Sequence, residues 1–277
     1  MKKTYLIAGL ALSLAILSCN NSSNNQQTKD SDSTAIVNIQ EEVVSYTNGD
    51  ATYKGWIACN AADSGKRPAV LVVPEWWGLN DYAKMRARKL ADLGYIAMAI
   101  DMYGNGKLAA TPDSAKKYAS PFYSDPQLAK SVFDAALTAL KNYPQADTTQ
   151  IAAIGYCFGG AQVLNMARLG ENLKGVVSFH GNLVGTPADK NLLKAKILVC
   201  HGDADPFVKP EEVALFKKQM DSIGADYTFK HYAGATHAFT NPDATATGKK
   251  FNMPVEYNAA ADSASWEDMK QFFRRIF

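Results

Sequence analysis

The sequence has few of the residues that build metal and redox sites. It contains four cysteines and four histidines in 277 residues. The histidines lack the spacing of zinc ligands, and no cysteine pair lies beside them. No Cys-x-x-Cys pair occurs, so a thiol redox protein is the weakest interpretation that we consider. These absences lead us to expect no metal and no other cofactor.

An excess of charge of one sign is also missing. The chain has 29 Lys and Arg against 27 Asp and Glu, a formal net charge of +2, and the two signs are interspersed. No basic stripe of the kind that binds nucleic acid is present. Internal repeats and a glycine-rich phosphate-binding fingerprint are absent as well. The sequence therefore argues against a nucleic-acid partner.

The first residues carry the one long apolar run that is not part of the folded domain. Lys2 and Lys3 precede an apolar segment over 5–17. This segment is too short to span a bilayer and has the form of a signal-peptide core. It ends in Ile16-Leu-Ser-Cys19, which resembles the lipobox of bacterial lipoproteins and implies cleavage before Cys19 and lipidation of that cysteine. The alternative is an ordinary signal peptide with an incidental cysteine.

The chain thus divides into three predicted parts. Residues 1–18 form a lipoprotein-type signal peptide, and residues 19–34, almost all Asn, Ser, Gln, Thr, Asp and Lys, form a flexible tether. Residues 35–277 suit one α/β domain better than two small ones. The predicted protein is an exported bacterial lipoprotein, anchored to a membrane on the periplasmic or cell-surface side. We expect a monomer.

Apolar runs that predict strands alternate with amphipathic stretches that predict helices. This order indicates a mostly parallel central sheet of about eight strands, covered by helices on both faces, with a ligand site at the carboxyl ends of the strands. The predicted strands span 36–47, 52–58, 69–73, 95–100, 151–154, 175–179, 196–200 and 227–232. The predicted helices span 81–93, 113–118, 128–140, 158–169, 211–223 and 263–277.

The stretch from Ile151 to Gly160 reads as a strand, then Gly-x-Cys-x-Gly-Gly, then a helix. It predicts a nucleophile elbow, in which the residue at the tip is held in a strained conformation between strand and helix. Cys157 is that residue. The positive end of the helix dipole favours a thiolate there, and the next backbone N–H can face an oxyanion. The alternative is a buried cysteine in an ordinary strand-to-helix turn.

Two later strand ends supply an acid and a histidine. The order Cys157, acid, His237 is the chain order of the α/β-hydrolase triad. Asp203 and Asp205 compete for the acid's role of orienting the histidine. We choose Asp205, because the turn usually takes the form Gly-x-x-Asp-x-x-Val, in which Asp203 falls within the turn.

The remaining histidines have simpler interpretations. His180 and His201 each end a predicted strand and are read as structural histidines. His231 alternates within a strand pattern, so it is read as packed or solvent-facing. None of the three is assigned to the predicted site.

Five motifs in this order resemble the dienelactone hydrolase family. They are Pro-Glu-x-x-Gly-x-Asn at 74–80, Asp-x-Tyr at 101–103, Gly-x-Cys-x-Gly-Gly at 155–160, Gly-x-x-Asp-x-Phe-Val at 202–208 and His-x-Phe at 237–239. The resemblance covers nearly all of the chain from about residue 40 onward. It implies an α/β-hydrolase fold and a cysteine triad.

The resemblance also implies residue roles. Glu75 matches the family glutamate that lies near the resting thiol and helps to convert it to a thiolate when substrate binds. The alternative for Glu75 is a capping or loop-bracing carboxylate. The implied triad is Cys157, Asp205 and His237, with the backbone N–H groups of Trp76 and Phe158 as the oxyanion hole.

The sequence departs from the family at the two arginines that grip a substrate carboxylate. Those positions read Asn105 and Asn241, with Lys107 as the cation nearest to the first. This departure leaves the substrate open but not the acyl-transfer chemistry. The alternative to a substrate-binding role is a solvated loop residue for Lys107 and a core-packing residue for Trp77. The candidate substrate-binding residues are Trp77, Tyr103, Lys107 and Asn241.

We therefore predict a hydrolase that cleaves a small-molecule ester or lactone through a thioester on Cys157. The alternative is a non-catalytic protein that binds a small molecule on the same scaffold. A broken triad would favour that alternative, and the sequence contains none.

Overall fold

A computed structural model describes residues 38–62 and 64–277. The predicted signal peptide, Cys19, the tether and the predicted domain start at residue 35 lie outside the described residues. Within the described ranges, no helix is both long and apolar enough to cross a bilayer.

The domain is built on one eight-stranded sheet with the strand order β1-β2-β4-β3-β5-β6-β7-β8. The first hairpin and its contact with β4 are antiparallel, and all later neighbours are parallel. The predicted mostly parallel sheet is thus confirmed. The strands are β1 (Ile39–Asn48), β2 (Ala51–Asn60), β3 (Arg67–Val73), β4 (Ile96–Ala99), β5 (Ala146–Tyr156), β6 (Gly175–Phe179), β7 (Lys196–Gly202) and β8 (Tyr227–Tyr232).

Helices cover both faces of the sheet because its central strands are apolar on both sides. In β3, Leu71 and Val73 pack into one core cluster with α3 and α4, whereas Val70 and Val72 pack into the other with α1 and α7. Alternate side chains of a strand point to opposite faces, so this division is expected for a fully buried strand. The helices are α1 (Asp81–Asp92), α2 (Pro112–Ser124), α3 (Pro126–Lys141), α4 (Phe158–Arg168), α5 (Pro210–Ser222), α6 (Ala244–Phe251) and α7 (Ala259–Ile276).

Two helices differ most from the sequence prediction. Helix α2 continues to Ser124 instead of ending at residue 118, because Ala119 and Phe122 extend its buried face. Helix α6 was not predicted. Its two threonines and Gly248 have weak helix propensity, and at eight residues it is too short to stand out from the surrounding loop.

Candidate active site

The nucleophile elbow forms where β5 passes into α4. Cys157 stands between them with φ 53° and ψ −114°, the left-handed half of the map that a side chain rarely adopts. The crossing is too tight for a larger residue: a Cβ on Gly159 would lie 2.1 Å from the Val73 carbonyl oxygen. The strained conformation predicted for Cys157 is therefore present, and the Cys157 side chain faces a cavity.

His237 lies between Cys157 and Asp205. Its Nδ1 is 2.8 Å from Oδ2 of Asp205, whose side chain is fully buried. The Phe207 backbone N–H donates to the other Asp205 oxygen at 2.8 Å. Burial opposes a charge on the His237 ring, but a hydrogen-bonded Cys157 and the Asp205 carboxylate outweigh burial and raise the pKa of His237 well above its ordinary value. His237 therefore lies between a buried carboxylate and Cys157.

The structure separates the two competing acids. Asp203 lies 2.7 Å from Nδ1 of His231, and both side chains are exposed. His231 also lies 3.1 Å from the Lys217 ammonium. Asp203 and His231 thus form a pair on the surface, while Asp205 contacts the histidine beside Cys157.

Glu75 and Asn241 form a buried pair next to the triad residues. Asn241 Nδ2 donates to Glu75 Oε2 at 2.7 Å, and Glu75 is 3 % exposed. Burial raises the pKa of Glu75 to about 7, although the Asn241 hydrogen bond and the charges of His237 and Arg86 pull it down. Asn241, predicted to bind substrate, therefore also holds this carboxyl group in place.

These groups open into a cavity of about 690 Å³. Five predicted catalytic or substrate-binding residues lie in its wall: Glu75, Trp77, Cys157, His237 and Asn241. Most of the rest of the wall is apolar or aromatic. The other residues that line the cavity are Trp76, Lys116, Ala119, Ser120, Tyr123, Asn182, Phe207, Val208, Ala238, Ala244, Thr247, Asn252, Met253, Pro254 and Val255.

Two predicted substrate-binding residues are not in this wall. The Tyr103 hydroxyl donates to the Trp76 carbonyl oxygen at 3.0 Å, so it braces the segment after β3 from behind. Lys107 is exposed, and its N–H closes a turn onto the Gly104 carbonyl. The lysine that does line the cavity is Lys116, on helix α2.

The predicted oxyanion hole has two backbone donors at the right places in the chain. Trp76 follows β3, and Phe158 is the first residue of α4. Neither N–H donates a hydrogen bond within the part of the chain that the structure describes. Trp76 lines the cavity, and Phe158 follows Cys157 directly, so the oxyanion hole stays a prediction.

The far wall of the cavity is not among the features predicted from the sequence. Lys116 lies in the predicted part of α2, and Tyr123 lies in the part beyond residue 118 that was not predicted. Met253 and Val255 follow α6, which was not predicted either. A short parallel bridge between His237 and Val255 attaches this wall to the histidine loop. An apolar stripe on α2 was the one pattern that could have indicated it.

No group of three or more His, Cys, Asp and Glu side chains that could hold a metal ion occurs in the described ranges. Cys59, Cys157 and Cys200 are all free thiols. Cys59 and Cys200 are buried, whereas Cys157 is partly exposed.

Glu75→Gln should stabilise the fold above neutral pH. A carboxyl group with a raised folded-state pKa stabilises the fold below its unfolded value of 4.5, and this stabilisation is lost as the pH rises through about 7. The glutamine cannot ionise and can still accept from Asn241. We expect the free energy of unfolding at pH 8 to rise by about 3 kcal/mol relative to the parent.

Urea unfolding from pH 4 to pH 9 measures this difference, which should vanish below pH 4.5. Glu256→Gln, at an exposed position, controls for the loss of one negative charge. A Glu75→Gln difference that is independent of pH would contradict the raised pKa.

Comparison with known proteins adds a family to this geometry. Residues 55–277 match the model of the dienelactone hydrolase family. A solved dienelactone hydrolase-like promiscuous phosphotriesterase from metagenomic libraries is 36% identical with a TM-score of 0.81, over 86% of this chain and 99% of that one. A Bradyrhizobium protein named "probable 2-oxo-3-(5-oxofuran-2-ylidene)propanoate lactonase" is 30% identical over 187 residues, which is 64% of this chain and 75% of its own.

Proposed function

Because this chain belongs to the dienelactone hydrolase family, we propose that it hydrolyses a small-molecule ester or lactone with Cys157 as the nucleophile. The observation that carries the proposal is the His237 ring, which is hydrogen-bonded through Nδ1 to the Asp205 carboxylate and lines the same cavity as Cys157. The lactonase name of the Bradyrhizobium relative supports the lactone as a substrate class.

In the first half-reaction His237 Nε2 takes the thiol proton, because Nδ1 is held by Asp205. The sulfur attacks the carbonyl carbon, and the resulting oxyanion accepts from the Trp76 and Phe158 N–H groups. When the tetrahedral intermediate collapses, the carbon–oxygen bond to the alcohol breaks. The His237 imidazolium gives its proton to the leaving oxygen, and a thioester remains on Cys157.

In the second half-reaction a water molecule attacks the thioester carbon. His237 takes one proton from the water, and the new oxyanion occupies the same two N–H groups. The carbon–sulfur bond then breaks, which releases the acid and returns the proton to the imidazole–thiol pair. Glu75, with a pKa of about 7, is a second group beside this pair that can accept or donate a proton near neutral pH.

The direct test is mass spectrometry of the protein during hydrolysis of a panel of small esters and lactones, stopped by rapid quench. A transient acyl adduct on Cys157 is the expected result, and its mass gives the acyl half of an accepted substrate. If no adduct forms and iodoacetamide also fails to label Cys157, the binding-protein alternative replaces this proposal.

We further propose that Cys19 carries a lipid anchor. The basic head, the apolar run of 5–17 and the Leu-Ser-Cys sequence support it. Cys19→Ser should shift the protein from the membrane fraction to the soluble fraction of the producing bacterium. Cys59→Ser is the matched control, and membrane retention of Cys19→Ser would contradict the anchor.

A further inference from the structure

A second histidine lies directly beneath the nucleophile. His180 follows β6, is 1 % exposed and adopts φ 43°. Its Nδ1 is 3.1 Å from the backbone N of Cys157, and its Nε2 is 2.7 Å from Oγ1 of Thr240. Its ring also packs edge to face against His237, with centroids 5.3 Å apart. His180 therefore contacts both halves of the Cys157–His237 pair without lining the cavity.

The hydrogen bonds determine which nitrogen of His180 carries the proton. A backbone N–H can only donate, so Nδ1 is the bare nitrogen that accepts from Cys157. The proton is then on Nε2, which donates to the Thr240 hydroxyl. The same N–H of Cys157 is shared with the Phe179 carbonyl at 3.0 Å. His180 thus joins the elbow to the loop that carries His237.

Thr240 is itself fixed on both sides. Its hydroxyl lies 2.6 Å from the Tyr82 hydroxyl of α1. Its carbonyl oxygen accepts from the Arg86 guanidinium, which pairs with Asp262 of α7 at 2.6 Å. Because Thr240 is only three residues after His237, this network anchors the histidine loop to the helices under the sheet.

We propose that His180 is a positioning residue that sets the separation of Cys157 and His237, by bridging the Cys157 N–H and the Thr240 hydroxyl. The inference rests on the proposed function, because it concerns how the two reacting groups are held. A displacement of about 1 Å in a reacting group can lower the rate about 100-fold. The left-handed backbone of His180 is a strained conformation for a residue with a side chain, which fits a residue held by its contacts.

The surroundings of His180 maintain the required neutral tautomer. The groups that face it are His237, Arg86 and Tyr156. Burial, together with the positive charges of His237 and Arg86, lowers the pKa of His180 well below its ordinary value. A protonated ring would place a hydrogen on Nδ1 against the Cys157 N–H, so the bridge exists only in the neutral form.

The test compares Thr240→Val with Thr240→Ser on the full folded protein. The valine keeps the shape and the carbonyl oxygen but loses the hydroxyl. With a chromogenic ester, we expect kcat to fall about 10- to 100-fold. We expect KM to stay within about twofold, since Thr240 does not line the cavity. The rate of Cys157 alkylation by iodoacetamide should fall with kcat. Thr240→Ser should restore both rates to within about threefold of the parent.

His180→Asn tests the bridge from its other end. Asparagine tolerates a positive φ and can accept from the Cys157 N–H, but it is too short to reach Thr240, so it should lose kcat as Thr240→Val does. Ser265→Ala, which removes a buried hydroxyl bonded within its own helix, is the matched control for stability. Should Thr240→Val fail to fold, His180→Asn decides by the same criterion.

The outcomes separate this inference from the proposed function. A parent protein that neither hydrolyses the ester nor reacts with iodoacetamide refutes the proposed function, and the positioning role with it. An active parent with Thr240→Val or His180→Asn folded and at parental kcat refutes the positioning role alone. A loss that appears in KM, or that Thr240→Ser does not restore, also refutes it.

Discussion

Replacing Cys157 by alanine should lower ester hydrolysis about 100,000-fold, close to the rate without protein. No other described cysteine can substitute, because Cys59 and Cys200 are buried away from the cavity. The fold should survive, since alanine is smaller than cysteine. Steady-state hydrolysis of a chromogenic ester and the loss of the acyl adduct in the mass spectrum measure the effect.

Cys59→Ala is the matched control for this experiment. Cys59 lies on β2 with its thiol 3.4 Å from the Tyr143 hydroxyl, and it does not line the cavity. We expect parental kcat/KM for this variant. Substantial turnover by Cys157→Ala would show that another group attacks the ester, and the proposed nucleophile would then be wrong.

Asp205→Asn should lower kcat on the order of 10,000-fold while leaving the architecture of the site intact. The asparagine can still accept from the Phe207 N–H through its oxygen. Its amide nitrogen would then face Nδ1 of His237 and donate to it, which moves the ring proton to Nε2. With that nitrogen already protonated, His237 cannot take the thiol proton.

Asp203→Asn supplies a control of the same chemistry two residues away. Asp203 pairs with His231 on the surface, and this exposed pair should contribute less than about 1 kcal/mol to stability. We expect kcat within about twofold of the parent. If Asp203→Asn were inactive and Asp205→Asn active, the roles of the two acids would be reversed. Measurement of kcat for both variants at pH 7 decides between them.

The elbow and the sheet could be predicted because short stretches of neighbouring residues, apolar runs and the Gly-x-Cys-x-Gly-Gly motif, indicate them. The apolar run of 69–73 is a buried strand in any context, and glycines around Cys157 are required by the crossing geometry. The mostly parallel sheet, covered by helices on both faces, also follows from the alternation of strands and helices. The structure confirms these parts of the prediction.

The partner of Glu75 could not be predicted in the same way. Asn241 is 166 positions further along the chain, and no spacing rule relates the two. The resemblance to the family instead implied that Asn241 contacts substrate, at a position where a substrate-binding arginine was expected. The role of His180 is similar: its place at a strand end was clear, but its contact with Cys157 depends on how the elbow and the Thr240 loop meet.

The close approach of Gly159 to the Val73 carbonyl has a consequence for protein engineering. The chain continues from Val73 through Pro74 to Glu75 and Trp76, so the elbow packs closely against the backbone that leads to this segment. Random changes in the elbow and this segment would mostly inactivate the protein. A directed-evolution library aimed at new substrates is better placed in the opposite wall, at positions such as Lys116, Tyr123 and Met253, where side chains face the cavity.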